Sequence, residues 1–167
     1  MAAIKAYQAY LSLALFSVVL PALATSQDML DTNKAIARRL FEEALSQSKW
    51  DVYLEIHATD FVAHSGTRTA TLAEDLASAK EWRKAFPDAT CSAEQLVAEG
   101  DSVTARWTCR GTNTGVGQGL PATGKAVVVH GITIFRVKEG KLAEEWGVID
   151  TWGMLRQLGL VGSEYRY

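Results

Sequence analysis

The chain has 167 residues, 48% of them hydrophobic and 22% charged, with a formal net charge of −2. That length buries a core large enough to hold a ligand cavity, and a slight negative charge without any basic stripe argues against nucleic acid as a partner. Residues 1–24 stand apart. Lys5 precedes the apolar run Leu11–Leu20, then come Pro21 and Ala22-Leu23-Ala24, the order of a secretory signal cleaved after Ala24. The run falls short of the ~18 apolar residues of a membrane span, and no other segment approaches that length. The expectation is a secreted or periplasmic protein, with one mildly acidic domain over residues 25–167 and no membrane segment once the signal is removed.

In chain order, Asp31 or Thr32 caps a helix predicted over about 33–47, with Ile36, Leu40, Phe41, Ala44 and Leu45 at helical spacing. A short helix fits 50–57, where Trp50, Tyr53, Leu54 and His57 share a face, and a short strand fits 61–64. Residues 71–86 form a third helix with Leu72, Leu76, Ala79 and Trp82 on one side, stopped by Pro87-Asp88. From Thr90 the period switches to two, with strands near 90–98, 102–112, 125–137 and 141–150 and a last helix over 151–158. Helices followed by an antiparallel meander predict an α+β fold, its N-terminal helices packed in a curved antiparallel sheet that forms a cone with a central pocket. The glycine-rich stretch 111–124 reads as a loop at the mouth of that cone. Its Gly115-Val-Gly-Gln-Gly119 does not lead from a strand into a helix, so it is no phosphate cradle.

The last two strands carry the candidate chemistry. A three-residue turn at Lys138-Glu139-Gly140 pairs Val137 with Lys141 and sets His130 opposite Val148 and Asp150 opposite Val128. One face then holds Val128, His130, Ile132, Ile134, Leu142, Glu144, Trp146, Val148 and Asp150. A carboxylate beside an imidazole, walled by Ile, Val and Trp, is where burial and a neighbouring charge shift proton affinity toward neutrality, as a general acid or base requires. Asp150 and His130 are therefore the candidate catalytic pair; the alternative is Asp150 as the N-cap of the following helix with His130 a wall residue. A three-residue turn at Glu99-Gly100-Asp101 likewise sets Cys91 opposite Cys109, a cross-strand disulfide in an exported protein. The three histidines lack the close spacing of a metal site, and neither Ser65 nor Ser92 has a base nearby in sequence, so metal binding and nucleophilic catalysis gain no support.

Phe86-Pro-Asp88, Glu99-Gly-Asp101, Thr112-Asn-Thr-Gly115, Leu120-Pro-Ala-Thr-Gly-Lys125, Gly131-Ile-Thr-Ile-Phe-Arg136, Glu139-Gly-Lys-Leu-Ala-Glu144, Trp146–Asp150 and Gln157-Leu-Gly159 follow one another in the chain. Together, over about residues 33–160, they resemble the SnoaL-like polyketide (ester) cyclases of the nuclear-transport-factor-like cone fold. That resemblance implies intramolecular aldol cyclisation without metal or cofactor, with Asp150 at the position of the proton-moving aspartate. It implies a cavity lined by His64, Trp107, His130, Trp146 and Asp150, and it places Asn113 at a substrate-binding position where many relatives have histidine. The expected partner is a small apolar carbonyl-containing molecule, the outer sheet face being a homodimer surface by the same resemblance. The rival expectation is a non-catalytic carrier or association module of the same fold.

Overall fold

The computed structural model describes residues 25–162, so the leader read over residues 1–24 lies outside the described residues. The first helix, α1 (Ser26–Arg39), starts seven residues earlier than expected because Thr25 caps it. The Thr25 hydroxyl accepts from the Asp28 N–H at 3.1 Å and the Asp28 carboxylate accepts from the Thr25 N–H at 2.9 Å, a reciprocal capping box. Residues Leu40–Leu45 continue α1 as a π turn that buries Leu40, Phe41 and Ala44. Then follow α2 (Trp50–Ile56), β1 (His57–Ser65), β2 (Arg68–Thr71), α3 (Leu72–Ala85), β3 (Thr90–Glu99), β4 (Ser102–Thr112), β5 (Ala126–Lys138), β6 (Lys141–Ile149) and α4 (Thr151–Leu158).

The strands form a single six-stranded sheet in the order β2-β1-β6-β5-β4-β3. The meander β3 to β6 is as expected, and its long edge is extended by β1, which runs parallel to β6, and by the β1–β2 hairpin. The helices lie in the concave side. Phe41 stacks on Trp107, with ring centroids 5.6 Å apart, and meets Phe135 edge-on at 6.2 Å, so the π turn anchors α1 to the centre of the sheet. At one end α4 buries Met154 and Leu158. Gln157 fastens it there by bonding both backbone groups of Val128, at 2.8 and 2.9 Å.

The face of β5 that points inward is the opposite of the one expected. Val127, Val129, Gly131, Thr133, Phe135 and Val137 are buried, while Val128, His130, Ile132, Ile134, Arg136 and Lys138 are exposed. Two local features then decide which residues of β6 share each face. Glu139 (φ 53°) and Gly140 (φ 72°) form a two-residue left-handed turn that pairs Lys138 with Lys141, the hairpin turn whose twist suits the flanking strands. A bulge then follows: Val137 pairs with Leu142 but Arg136 with Glu144, leaving Ala143 unopposed. From there on, Phe135 faces Glu145, Thr133 faces Gly147 and Gly131 faces Ile149. Since opposed residues share a face, β6 turns Leu142, Glu145 and Gly147 inward and Glu144, Trp146 and Val148 outward.

Cys91 and Cys109 are joined by a disulfide, with Cα atoms 4.1 Å apart. The route to that register differs from the expected one. The turn after β3 is two residues long, with Glu99 opposite Ser102, and a bulge at Glu94 restores the alignment so that Cys91 falls opposite Cys109.

Candidate functional site

Of the residues expected to line the cavity, Trp107 is inside and the others are elsewhere. Asp150 is exposed and caps α4, accepting from the Gly153 N–H at 2.8 Å. His130 is exposed on the convex face. Its Nδ1 lies 3.0 Å from Thr108 Oγ1, whose proton goes to Glu94 Oε1 at 2.6 Å, so Nδ1–H is the donor in that chain. His64 stacks on Trp146, centroids 5.0 Å apart and planes 3° from parallel, with Nε2 2.8 Å from Glu144 Oε1. Glu144 also receives Arg136. Trp146 is exposed, and Val148 beside it is 75% exposed. Asp150 thus fills the helix-capping role. Asp150→Asn keeps a good cap and should leave both turnover and stability near wild type. Asp150→Ala should cost about 0.5–2 kcal/mol in urea unfolding without a loss of turnover in the folded protein.

Asn113 is a structural clamp. It is fully buried; its Nδ2 donates to the carbonyls of Ala85 and Gly115, both at 3.1 Å, and its Oδ1 accepts from the Thr123 N–H and Oγ1, both at 2.9 Å. All four bonding positions of the amide are filled, which leaves none for a ligand. The loop it ties down is pressed onto α3: a Cβ at Gly115 or Gly117 would run into the carbonyls of Lys84 and Glu81. Gly115 and Gly117 therefore serve close packing.

The concave side holds a different polar group. Tyr53, buried on α2, donates its hydroxyl to the Asp75 carboxylate on α3. Its ring stacks on His57, centroids 4.4 Å apart. His57 is 1% exposed, and its Nδ1 is 2.6 Å from the Tyr53 carbonyl. A carbonyl only accepts, so Nδ1 carries the proton and Nε2 presents a bare lone pair. That Nε2 is buried and has no partner among the described residues. Glu145 faces inward from β6, half-buried, close enough to Asp75 and Tyr53 for their charges to interact.

These environments set the proton affinities. Burial, followed by the nearby Asp75 charge, pushes the Glu145 carboxyl up to about 8. Burial also raises Asp75, with the Tyr53 hydroxyl pulling in the opposite direction. Burial and the Asp75 charge raise Tyr53, so it stays a neutral donor. Burial lowers His57 to about 4, partly offset by its bond to the Tyr53 carbonyl, so its imidazole is neutral at pH 7. Two carboxyls that repel one another in a poorly solvated place hold one proton between them, and the Tyr53 bond makes Asp75 the ionised member. Glu145 is then the member that holds that proton.

Sequence signals for this group exist. Tyr53 and His57 stand four apart, on one face of the helix predicted over 50–57, and Asp75 interrupts the apolar row Leu72, Leu76, Ala79. Glu144 and Glu145 are adjacent on a strand, so one of the two must face inward. Elsewhere, a surface groove of about 610 Å³ runs along α1 and Leu96. Its charges are paired locally, Lys34 with Asp31 at 2.6 Å and Arg38 with Glu42 at 2.8 Å, which leaves little to recognise a charged ligand. Among the described residues no group of three or more His, Cys, Asp or Glu is placed to hold a metal ion.

The chain matches the profile of the SnoaL-like polyketide cyclases over residues 35–158. Among proteins with curated descriptions none matches. Solved structures do. AclR of Streptomyces galilaeus, a proposed hydroxylase, is 27% identical with a TM-score of 0.72, covering 80% of this chain and 99% of its own. IdmH of Streptomyces antibioticus, a proposed polyketide cyclase, is 28% identical with a TM-score of 0.65, covering 77% of this chain and 96% of its own. A proposed polyketide cyclase of Bacillus cereus is 26% identical with a TM-score of 0.70, covering 83% of this chain and 87% of its own. With the profile spanning both the helices and the strands that build the concave face, the chain belongs to the SnoaL-like polyketide cyclase family.

Proposed function

We propose that this chain is an exported, cofactor-independent acid/base enzyme that moves a proton beside the carbonyl of a small apolar molecule, in an aldol-type cyclisation or an isomerisation. The observation that carries the reading is Glu145: an inward-facing carboxyl whose proton affinity is raised to about 8 by burial and by Asp75. A base of that strength is matched to neutral pH. At pH 7 about a tenth of it is ionised and the rest is ready to return a proton. As carboxylate it takes the proton from the carbon, the electron pair moves to the carbonyl oxygen, and the carboxyl then reprotonates the product. The neighbours named cyclase and hydroxylase differ in their stated reactions, and a proton-transfer step at an acidic carbon is compatible with the first. The Cys91–Cys109 disulfide supports export, because such bonds persist in oxidising compartments.

The test is a carbon-13 NMR titration of the labelled Glu145 carboxyl. A midpoint near 8 that falls in Asp75→Asn is expected. A midpoint near the ordinary 4.5 would remove the basis for the assignment.

A further inference from the structure

Two glycines, Gly131 and Gly147, face inward from neighbouring strands, and the space beside each is used differently. A Cβ at Gly131 would overlap the Trp107 ring: the indole lies flat over the glycine and fills the place of its missing side chain. A Cβ at Gly147 would meet a single atom within 4 Å, Thr133 Oγ1 at 3.7 Å. Gly147 is also half-buried, where its opposite neighbour Thr133 is 6% exposed. An inward glycine in mid-strand, with a gap over it that solvent can enter, marks open space on the concave face. Glu145 is two residues away on the same strand, pointing to the same side.

Thr133 bounds that gap with a directed polar group. Its Oγ1 accepts from Trp107 Nε1 at 3.0 Å, and its own proton meets no acceptor among the described residues. A buried hydroxyl without an acceptor is a donor waiting for one. The incoming indole N–H polarises the hydroxyl and strengthens it as a donor. Trp107 is itself fixed by Gly131 beneath it and Phe41 stacked on it, so the hydroxyl is held in place by a rigid support.

We propose that the gap over Gly147 is the seat of the ligand's carbonyl oxygen, which accepts a hydrogen bond from Thr133 Oγ1–H with Trp107 Nε1–H behind it, while Glu145 on the same strand faces the adjacent carbon. The ligand class is an uncharged molecule with an acceptor oxygen at one end of an apolar body. An ammonium group has no lone pair to accept the Thr133 hydroxyl proton, and a carboxylate would lie beside the Glu145–Asp75 pair. The assignment of the adjacent carbon to Glu145 rests on the function proposed above; the oxygen seat does not.

The experiment uses the folded protein labelled with nitrogen-15 and cyclohex-2-enone as the probe, following the Trp107 indole N–H resonance and, separately, exchange of the probe's α-protons with deuterated solvent. A saturable shift of that resonance is expected. It should weaken at least tenfold in apparent Kd in Thr133→Val, which keeps the shape and loses the hydroxyl, and in Gly147→Val, which fills the gap. Thr133→Ser should restore it and so separate loss of the hydroxyl from loss of the fold. Glu145→Gln should bind the probe like the wild type but lose the proton exchange. No saturable shift up to the solubility of the probe, or binding within twofold of wild type in both Thr133→Val and Gly147→Val, overturns the oxygen seat. If those two variants bind normally and Glu145→Gln alone loses exchange, the seat is wrong and the proton-transfer reading stands. If both variants lose binding while Glu145→Gln exchanges at the wild-type rate, the seat stands and Glu145 is not the proton carrier.

Discussion

Glu145→Gln is expected to lower turnover by roughly 10²–10⁴-fold, the usual contribution of a positioned acid or base. Glutamine keeps the size and the polarity of the side chain and removes only the ability to exchange a proton, so substrate affinity should change little. In the wild type the rate should rise with pH up to about 8, where the carboxyl ionises, and then level off. Asp75→Asn removes the charge that helps hold the Glu145 proton, and should move that limb to lower pH. The Asp150→Asn protein provides the contrast: it should turn over normally, because that carboxylate caps α4 in the solvent. A fully active Glu145→Gln enzyme, or an inactive but folded Asp150→Asn enzyme, would reverse the assignment of the proton carrier.

Stability should fall as pH rises from about 6.5 to about 8.5, by roughly 2 kcal/mol in urea unfolding. The direction follows from two buried groups that act oppositely. Between about 4.5 and 8 the folded chain keeps a proton on Glu145 that the unfolded chain has lost, so rising pH favours unfolding across that window. Between about 4 and 6.5 the unfolded chain binds a proton on His57 that the folded chain refuses, so there rising pH favours folding. The two slopes oppose each other from about 4.5 to 6.5, leaving a plateau, and above it the carboxyl acts alone. Glu145→Gln should abolish the fall above pH 6.5 and expose the rising His57 limb below it. Stability that climbs between pH 6.5 and 8.5, or a fall that survives in Glu145→Gln, would show that the buried carboxyl is not the source.

The family and the class of fold were legible because they depend on the order of elements and on motifs at turns. The switch from a helical to a two-residue period at Thr90 and the caps and stops around α3 are local properties that tertiary contacts did not override. The lining of the cone was not legible, because alternation sorts residues into two faces without saying which of them turns inward. Both faces of β5 carry large apolar residues, Val127, Val129, Phe135 and Val137 on one and Val128, Ile132 and Ile134 on the other, so hydrophobicity alone could not choose between them. The deciding signal was charge: Arg136 and Lys138 belong to the same alternating set as His130, and a set that ends in two cations is the one water reaches. At the other hairpin two misjudged features cancelled. The turn is shorter than expected and Glu94 bulges, and so the Cys91–Cys109 register survives. Between β5 and β6 the short turn and the bulge at Ala143 likewise keep His130, Ile132, Ile134, Glu144, Trp146 and Val148 on one face, and what failed there was the choice of that face as the inner one. Tyr53, His57 and Asp75 were missed for another reason. They come from α2, the start of β1 and α3, and the meeting of Tyr53 and Asp75 with Glu145 is a property of the packed cone that no single segment carries.

The unopposed residue Ala143 makes the chain respond unequally to a residue lost and a residue gained. Deleting this one alanine, with the turn unchanged, would leave Arg136 opposite Glu144 and Phe135 opposite Glu145, so the bulge would close and the lining would survive. One residue added at the same place, with no second bulge to absorb it, would instead rotate the rest of β6 by half a period, bringing Glu144, Trp146 and Val148 to the inside and sending Glu145 and Gly147 to the outside. Homologues with an extra residue between Leu142 and Glu144 should therefore be compared by face and not by sequence position, since the acid that aligns best can lie on the wrong side of the sheet.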